Sequence, residues 1–160
     1  MKSIIALLQL FLIFQIILSA HLLSSTKKNL SMNRQNYNGD ILFQEESLVS
    51  PNLQYYVKMQ QDGNIVVYST ALTNASNPST DRPLWNSNTI GKGRSPYFLK
   101  MKNDGNLVMY DSKNTPYWAS NTRNKGVAPF LLSMQNDGNL VLLDSNNAIL
   151  WTSGTSGRRF

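Results

Sequence analysis

The sequence predicts an all-β domain made of three tandem copies of one unit, and three observations carry that expectation. Trp85, Trp118 and Trp151 stand 33 residues apart, each opening a near-copy of one phrase: Trp-Asn-Ser-Asn-Thr, Trp-Ala-Ser-Asn-Thr and Trp-Thr-Ser-Gly-Thr. Upstream of each lies a second phrase built around Asp-Gly-Asn, running Met59 to Tyr68, Met101 to Tyr110 and Met134 to Leu143. Apolar residues in these phrases alternate with period two, the period of a strand, and repetition at a fixed interval indicates stacked or radially arranged supersecondary units.

The chain opens differently. Lys2, an apolar run from Ile4 to Leu18 and then Ser19-Ala20 read as a secretory signal peptide over residues 1–20, with cleavage after Ala20 or near Ser24 or Ser25. Gln9 and Gln15 interrupt the run and Lys27-Lys28 follow it, so no stable membrane span is expected and the protein is placed outside the cell. Residues 21–38 are polar without apolar periodicity and read as a flexible lead or propeptide. Order is expected from Gly39-Asp40-Ile41-Leu42-Phe43 onward, giving a repeat domain over 39–155 and a basic tail over 156–160.

Within the first repeat, Tyr55, Val57 and Met59 share one strand face, matched by Tyr97, Leu99, Met101 and by Phe130, Leu132, Met134. Ile65 and Val67, with Leu107 and Met109 and with Leu140 and Leu142, supply the same core face from the second arm. The turn decides the register. A two-residue Asp62-Gly63 turn would set Gln60 opposite Ile65, placing a polar and a core residue on one face. A three-residue loop, Gln61-Asp62-Gly63 with the glycine in the left-handed region, instead sets Met59 opposite Ile65 and gives Gly63, Gly105 and Gly138 a steric reason to be glycine.

Asp62 and Trp85 are 23 positions apart, whereas Asp104 to Trp118 and Asp137 to Trp151 are both 14, so nine extra residues must bulge from the first repeat. They fall in the Ser/Thr/Asn/Pro-rich stretch from Ser69 to Pro83, which carries the sequon at Asn74; a second sequon, at Asn29, precedes the repeats. The three tryptophans are expected to converge near a pseudo-threefold axis and to be buried there.

Composition narrows the function. The chain has no cysteine, so no disulfide holds it together, and its only histidine, His21, lies beside the cleavage point, leaving no histidine for a catalytic triad or a zinc site. Glu45 and Glu46 are adjacent and would point to opposite strand faces, the wrong geometry for a glycosidase pair. The formal charge of +6, or +5 once Lys2 leaves, is scattered and lacks interleaved stacking aromatics, which argues against nucleic acid. Neither a metal nor a cofactor is expected, and the domain reads as a binder rather than an enzyme.

Opposite the core, the same register gathers Gln60, Asp62, Asn64, Val66 and Tyr68, two apart and therefore expected to point outward. A carboxylate, two amides, a phenol and one apolar residue suit a neutral pyranose, whose hydroxyls accept forked hydrogen bonds while its C–H surface packs on an apolar atom. Turn chemistry alone explains the Asp-Gly-Asn but asks for neither Gln60 nor Tyr68.

The pattern Gln-x-Asp-x-Asn-x-Val-x-Tyr, the Trp phrases and the three copies resemble the bulb-type, or monocot-type, mannose-binding lectin family from about Gly39 to Thr155. The resemblance implies the β-prism II fold, three four-stranded antiparallel sheets in pseudo-threefold arrangement with the tryptophans central. It further implies that Asp and Asn contact the axial 2-hydroxyl of mannose, that Gln and Tyr reach the 3- and 4-hydroxyls, and that Val packs on the ring. Carried over, the first site is complete: Gln60, Asp62, Asn64, Val66 and Tyr68. The second keeps Asp104, Asn106, Val108 and Tyr110 but has Lys102 in place of Gln. The third keeps Gln135, Asp137, Asn139 and Val141 but has Leu143 in place of Tyr. The absence of cysteine departs from the plant members, which carry an internal disulfide. The expected function is that of a secreted lectin binding mannose-containing glycans as a homodimer paired through Ile149 to Thr155; the alternative is a β-prism scaffold with decayed sugar sites that acts through protein or membrane contacts.

Overall fold

A computed structural model describes residues 26–27, 29–31, 41–70 and 81–158. The signal segment, the insertion around Asn74 and the last two tail residues lie outside the described residues, and Asn29 is described in its backbone only. Thirteen strands and no helix occur among the described residues, so none of them forms a helix long and apolar enough to cross a membrane.

The strands assemble into three sheets. The first contains β1 (Thr26–Lys27), β4 (Ser47–Val49), β5 (Tyr55–Met59), β6 (Ile65–Ser69) and β7 (Arg82–Asn86) in that order. The second runs β10 (Pro116–Ala119), β9 (Leu107–Tyr110), β8 (Phe98–Met101) and β3 (Ile41–Phe43), and the third runs β13 (Ile149–Thr152), β12 (Leu140–Leu143), β11 (Leu131–Met134) and β2 (Asn29–Ser31). All pairings are antiparallel except that of β1 with β4, which is parallel and gives the first sheet a fifth strand where four were expected. Each repeat contributes a hairpin and its Trp strand, while the N-terminal strands β2, β3 and β4 complete the third, second and first sheets in turn. Asn29–Ser31, assigned from sequence to a flexible lead, thus pairs with Leu131–Ser133 about a hundred residues later.

The three-residue loop sets the register as expected. Met59 faces Ile65, the Gln60 amide donates to the Asn64 carbonyl at 2.8 Å, and Gly63 closes the turn on Gln60 at φ +83°. The equivalent pairs Met101–Leu107 and Met134–Leu140 repeat it. Each turn glycine lies under an aromatic ring of the next repeat, Gly63 under Tyr97, Gly105 under Phe130 and Gly138 under Tyr55, so the contacts close a ring. Those rings, with Met59, Met101, Met134 and the flanking Leu and Val residues, make one buried core.

The tryptophans do converge, with ring centroids 6.4 Å apart for Trp85–Trp118, 5.4 Å for Trp85–Trp151 and 5.9 Å for Trp118–Trp151, all edge to face. They are half-buried rather than fully buried as expected from sequence: they pack against the core at its margin, around a small cavity also lined by Leu99, Leu132 and Leu140. Three indoles meeting edge to face cannot close on one another as aliphatic side chains do, and part of each ring stays accessible.

Candidate functional site

The first hairpin positions its polar side chains through β5, the turn and β6. Gln60 leaves the end of β5 and donates from Nε2 to the Tyr68 hydroxyl at 2.7 Å, so the two residues eight apart act as one pair. Tyr68 is held in turn by stacking on Tyr56, its cross-strand neighbour, with centroids 5.0 Å apart and planes 20° apart. Tyr56 donates to Asp81 Oδ2 at 2.7 Å; burial, followed by this carboxylate, pushes its hydroxyl well above the ordinary tyrosine range and keeps it protonated. Tyr68, accepting from Gln60, retains its own proton to donate.

Asp62 folds back at the turn, its Oδ1 accepting the Asn64 amide at 2.9 Å. Among the described residues nothing donates to its Oδ2, which is left as an open acceptor at the hairpin tip.

Asn64 and Val66 correct the sequence reading, which had them on a solvent face: they are only 3% and 4% exposed. Asn64 Oδ1 accepts from Ser87 Oγ at 2.8 Å, the Thr89 amide at 3.2 Å and Thr89 Oγ1 at 3.3 Å, so only its Nδ2 is left for a ligand. Val66 lies between Lys58 and Asn86 in the adjacent strands, which narrow the apolar surface it offers. Val108 and Val141 are buried likewise.

The same framework recurs. Asn106 Oδ1 accepts from Ser120 Oγ at 3.2 Å and the Thr122 amide at 3.1 Å, and Asn139 Oδ1 accepts from Thr152 Oγ1 at 2.6 Å, Ser153 Oγ at 3.1 Å and the Thr155 amide at 3.2 Å. Each threonine also caps the turn glycine's carbonyl, Thr89 on Gly63, Thr122 on Gly105 and Thr155 on Gly138. Sequence reasoning missed these Ser and Thr residues, although their repetition after every tryptophan was the signal for them. The Trp phrase is therefore a clamp that holds each hairpin's turn.

The three sites differ at their edges. In the second, Tyr110 stacks on Phe98 with centroids 5.3 Å apart, as Tyr68 does on Tyr56, but Asp104 Oδ2 is ion-paired with Lys102 Nζ at 3.5 Å and Arg123 Nε at 3.3 Å. In the third, Asp137 Oδ2 accepts from Ser156 Oγ at 2.6 Å, and Leu143 leaves Gln135 without the phenol that Gln60 engages. Each site lies on its own sheet, so the structure keeps the three groups of residues separate.

A family model described as D-mannose binding lectin matches residues 86–156. Among solved structures, a monomeric monocot mannose-binding lectin from Gastrodia elata is 32% identical with a TM-score of 0.65, covering 83% of this chain and 100% of that one. The mannose-specific agglutinin of snowdrop, Galanthus nivalis, complexed with methyl-α-D-mannoside, is 32% identical with a TM-score of 0.58, covering 81% and 97%. A lectin from Marasmius oreades is 28% identical with a TM-score of 0.62, covering 82% and 94%. No curated protein matches the sequence.

Proposed function

Because the chain belongs to the bulb-type mannose-binding lectin family, and is therefore a carbohydrate-binding lectin and not an enzyme, we propose that it recognises terminal mannose and does so chiefly at the first hairpin. The observation that carries this reading is the joint state of four side chains. Gln60 and Tyr68 are paired at 2.7 Å with a phenolic proton to spare, Asp62 keeps one carboxylate oxygen open, and Asn64, its oxygen engaged, keeps its Nδ2. A pyranose bearing an axial hydroxyl next to an equatorial one would meet an acceptor and a donor at the tip and the Gln–Tyr pair farther along. The second and third hairpins keep the scaffold but have their aspartates engaged, and they are assigned weaker roles.

The reading extends to a secreted protein, as the signal-like opening suggests, whose three sheets are related by a pseudo-threefold axis through the tryptophans. A shallow monosaccharide site holds its ligand at about millimolar strength, roughly −4 kcal/mol, so binding to glycosylated surfaces gains from several sites at once. A homodimer through β13, the exposed edge of the third sheet, would supply them, although the Gastrodia elata lectins are described as monomeric. Light scattering of the purified protein decides between the two.

The central test is retention on mannose-agarose with elution by free mannose. Wild type is expected to be retained and Asp62→Ala to pass through. A folded wild type that is not retained would remove the mannose assignment.

A further inference from the structure

One position outside the sugar-binding pattern is tied by the backbone to the aspartate of each hairpin. Directly after the threonine of each Trp phrase come Ile90, Arg123 and Ser156, and the next residue always donates its amide to the aspartate's own carbonyl: Gly91 to Asp62 at 2.8 Å, Asn124 to Asp104 at 2.7 Å and Gly157 to Asp137 at 2.9 Å. With this backbone bond in place, the preceding side chain reaches the carboxylate in the second and third repeats, and Ile90 holds the equivalent backbone position in the first.

The carboxylate's second oxygen meets a donor from this position in two of the three repeats. Ser156 donates to Asp137 Oδ2 at 2.6 Å, Arg123 pairs with Asp104 Oδ2 at 3.3 Å, and Ile90, 68% exposed, has no donor to offer Asp62. In every repeat the first oxygen is already committed to the amide two residues on, at 2.9, 3.1 and 3.0 Å. The second oxygen is thus the acceptor each aspartate has left for a sugar hydroxyl.

We infer that the residue after the threonine is a specificity-determining position that sets whether each hairpin can take a sugar: an apolar side chain leaves the aspartate open, and a hydrogen-bond donor locks it. The inference rests on the mannose reading above and adds to it a cause for the ranking of sites beyond the replacements at Lys102 and Leu143. In the third repeat the lock is a neutral hydroxyl at short range, whereas in the second Lys102 and Arg123 share one oxygen, so opening that site requires both cations to be removed.

The turn glycine amides Gly63, Gly105 and Gly138 report each hairpin separately in ¹H–¹⁵N spectra titrated with methyl α-D-mannoside. In wild type Gly63 is expected to shift at the lowest ligand concentration. Ser156→Ala should tighten binding read at Gly138 by about two- to tenfold, the range for one hydrogen bond, without altering Gly63. Ile90→Ser should weaken binding read at Gly63 by a similar factor, and Lys102→Gln with Arg123→Ile should strengthen Gly105 more than Lys102→Gln alone. Because Ser156→Ala is a gain, misfolding cannot imitate it. Unchanged midpoints at Gly138 in Ser156→Ala and at Gly63 in Ile90→Ser, with wild type still binding, overturn the lock and leave the lectin reading intact. Wild type with no shift at any of the three glycines overturns both.

Discussion

Gly138 lies against the ring of Tyr55, so closely that a β-carbon at position 138 would come within 2.7 Å of Tyr55 Cε1. The two belong to the last and first repeats, and their contact closes the circle of turn glycines and aromatic rings that joins the three sheets. Gly138→Ala should therefore destabilise the whole domain by about 1–3 kcal/mol, through overpacking and a φ of +88° that suits glycine. Equilibrium denaturation measures this, and Tyr55→Leu combined with Gly138→Ala should cost less than the sum of the single changes.

Asp62 and Asn64 should separate in their effects. Asn64→Ala strips Ser87 and Thr89 of a buried acceptor and is expected to lower stability by about 1–3 kcal/mol as well as weaken mannose binding. Asp62→Ala, at the exposed tip, is expected to abolish most binding with a smaller loss of stability. Parallel thermal melts and mannoside titrations check the pair; equal destabilisation by both would contradict the assignment of Asn64 to the clamp.

Tyr68→Phe removes the hydroxyl that accepts from Gln60 while keeping the ring stacked on Tyr56. Mannose affinity should fall by about 0.5–1.5 kcal/mol with stability little changed. The converse change, Leu143→Tyr in the third hairpin, should strengthen that site by a similar amount, read at the Gly138 amide.

Trp118→Ala should cost about 3 kcal/mol, toward the lower end for a large aromatic because the ring is half-buried. Its neighbours Trp85 and Trp151 lose an edge-to-face partner each. Wild-type-like chemical denaturation for this variant would remove the indole cluster from the account of stability.

Acid should weaken the fold through Asp111 and Asp144. The Thr115 amide, with that of Lys113, holds the Asp111 carboxyl below its ordinary range, and the Ala148 amide, with those of Val127 and Asn146, does the same for Asp144. A depressed folded pKa contributes stability that is fully present above the unfolded value, about 3.9, and is lost as pH falls through the folded one. Melting temperature should thus be level above about pH 5 and drop below about pH 4, and Asp111→Asn with Asp144→Asn should flatten that drop.

The all-β class and the hairpin register were legible in the sequence because each is a short-range property. Period-two alternation assigns faces within each strand, and the clash between Gln60 and Ile65 excludes a two-residue turn. Burial of Asn64 was not legible, because its oxygen is taken by Ser87 and Thr89, 23 and 25 residues away and on another strand. Nor was the place of Asn29–Ser31, a short segment without apolar alternation whose role as a strand depends on Leu131–Ser133 arriving beside it. The engagement of Asp104 by Arg123 and of Asp137 by Ser156 was likewise not legible, because only folding brings those partners, 19 residues on in each case, to the turn. Periodicity and turn chemistry are local energies that a sequence displays; which acceptor is already occupied is a property of neighbours that the chain supplies from a distance.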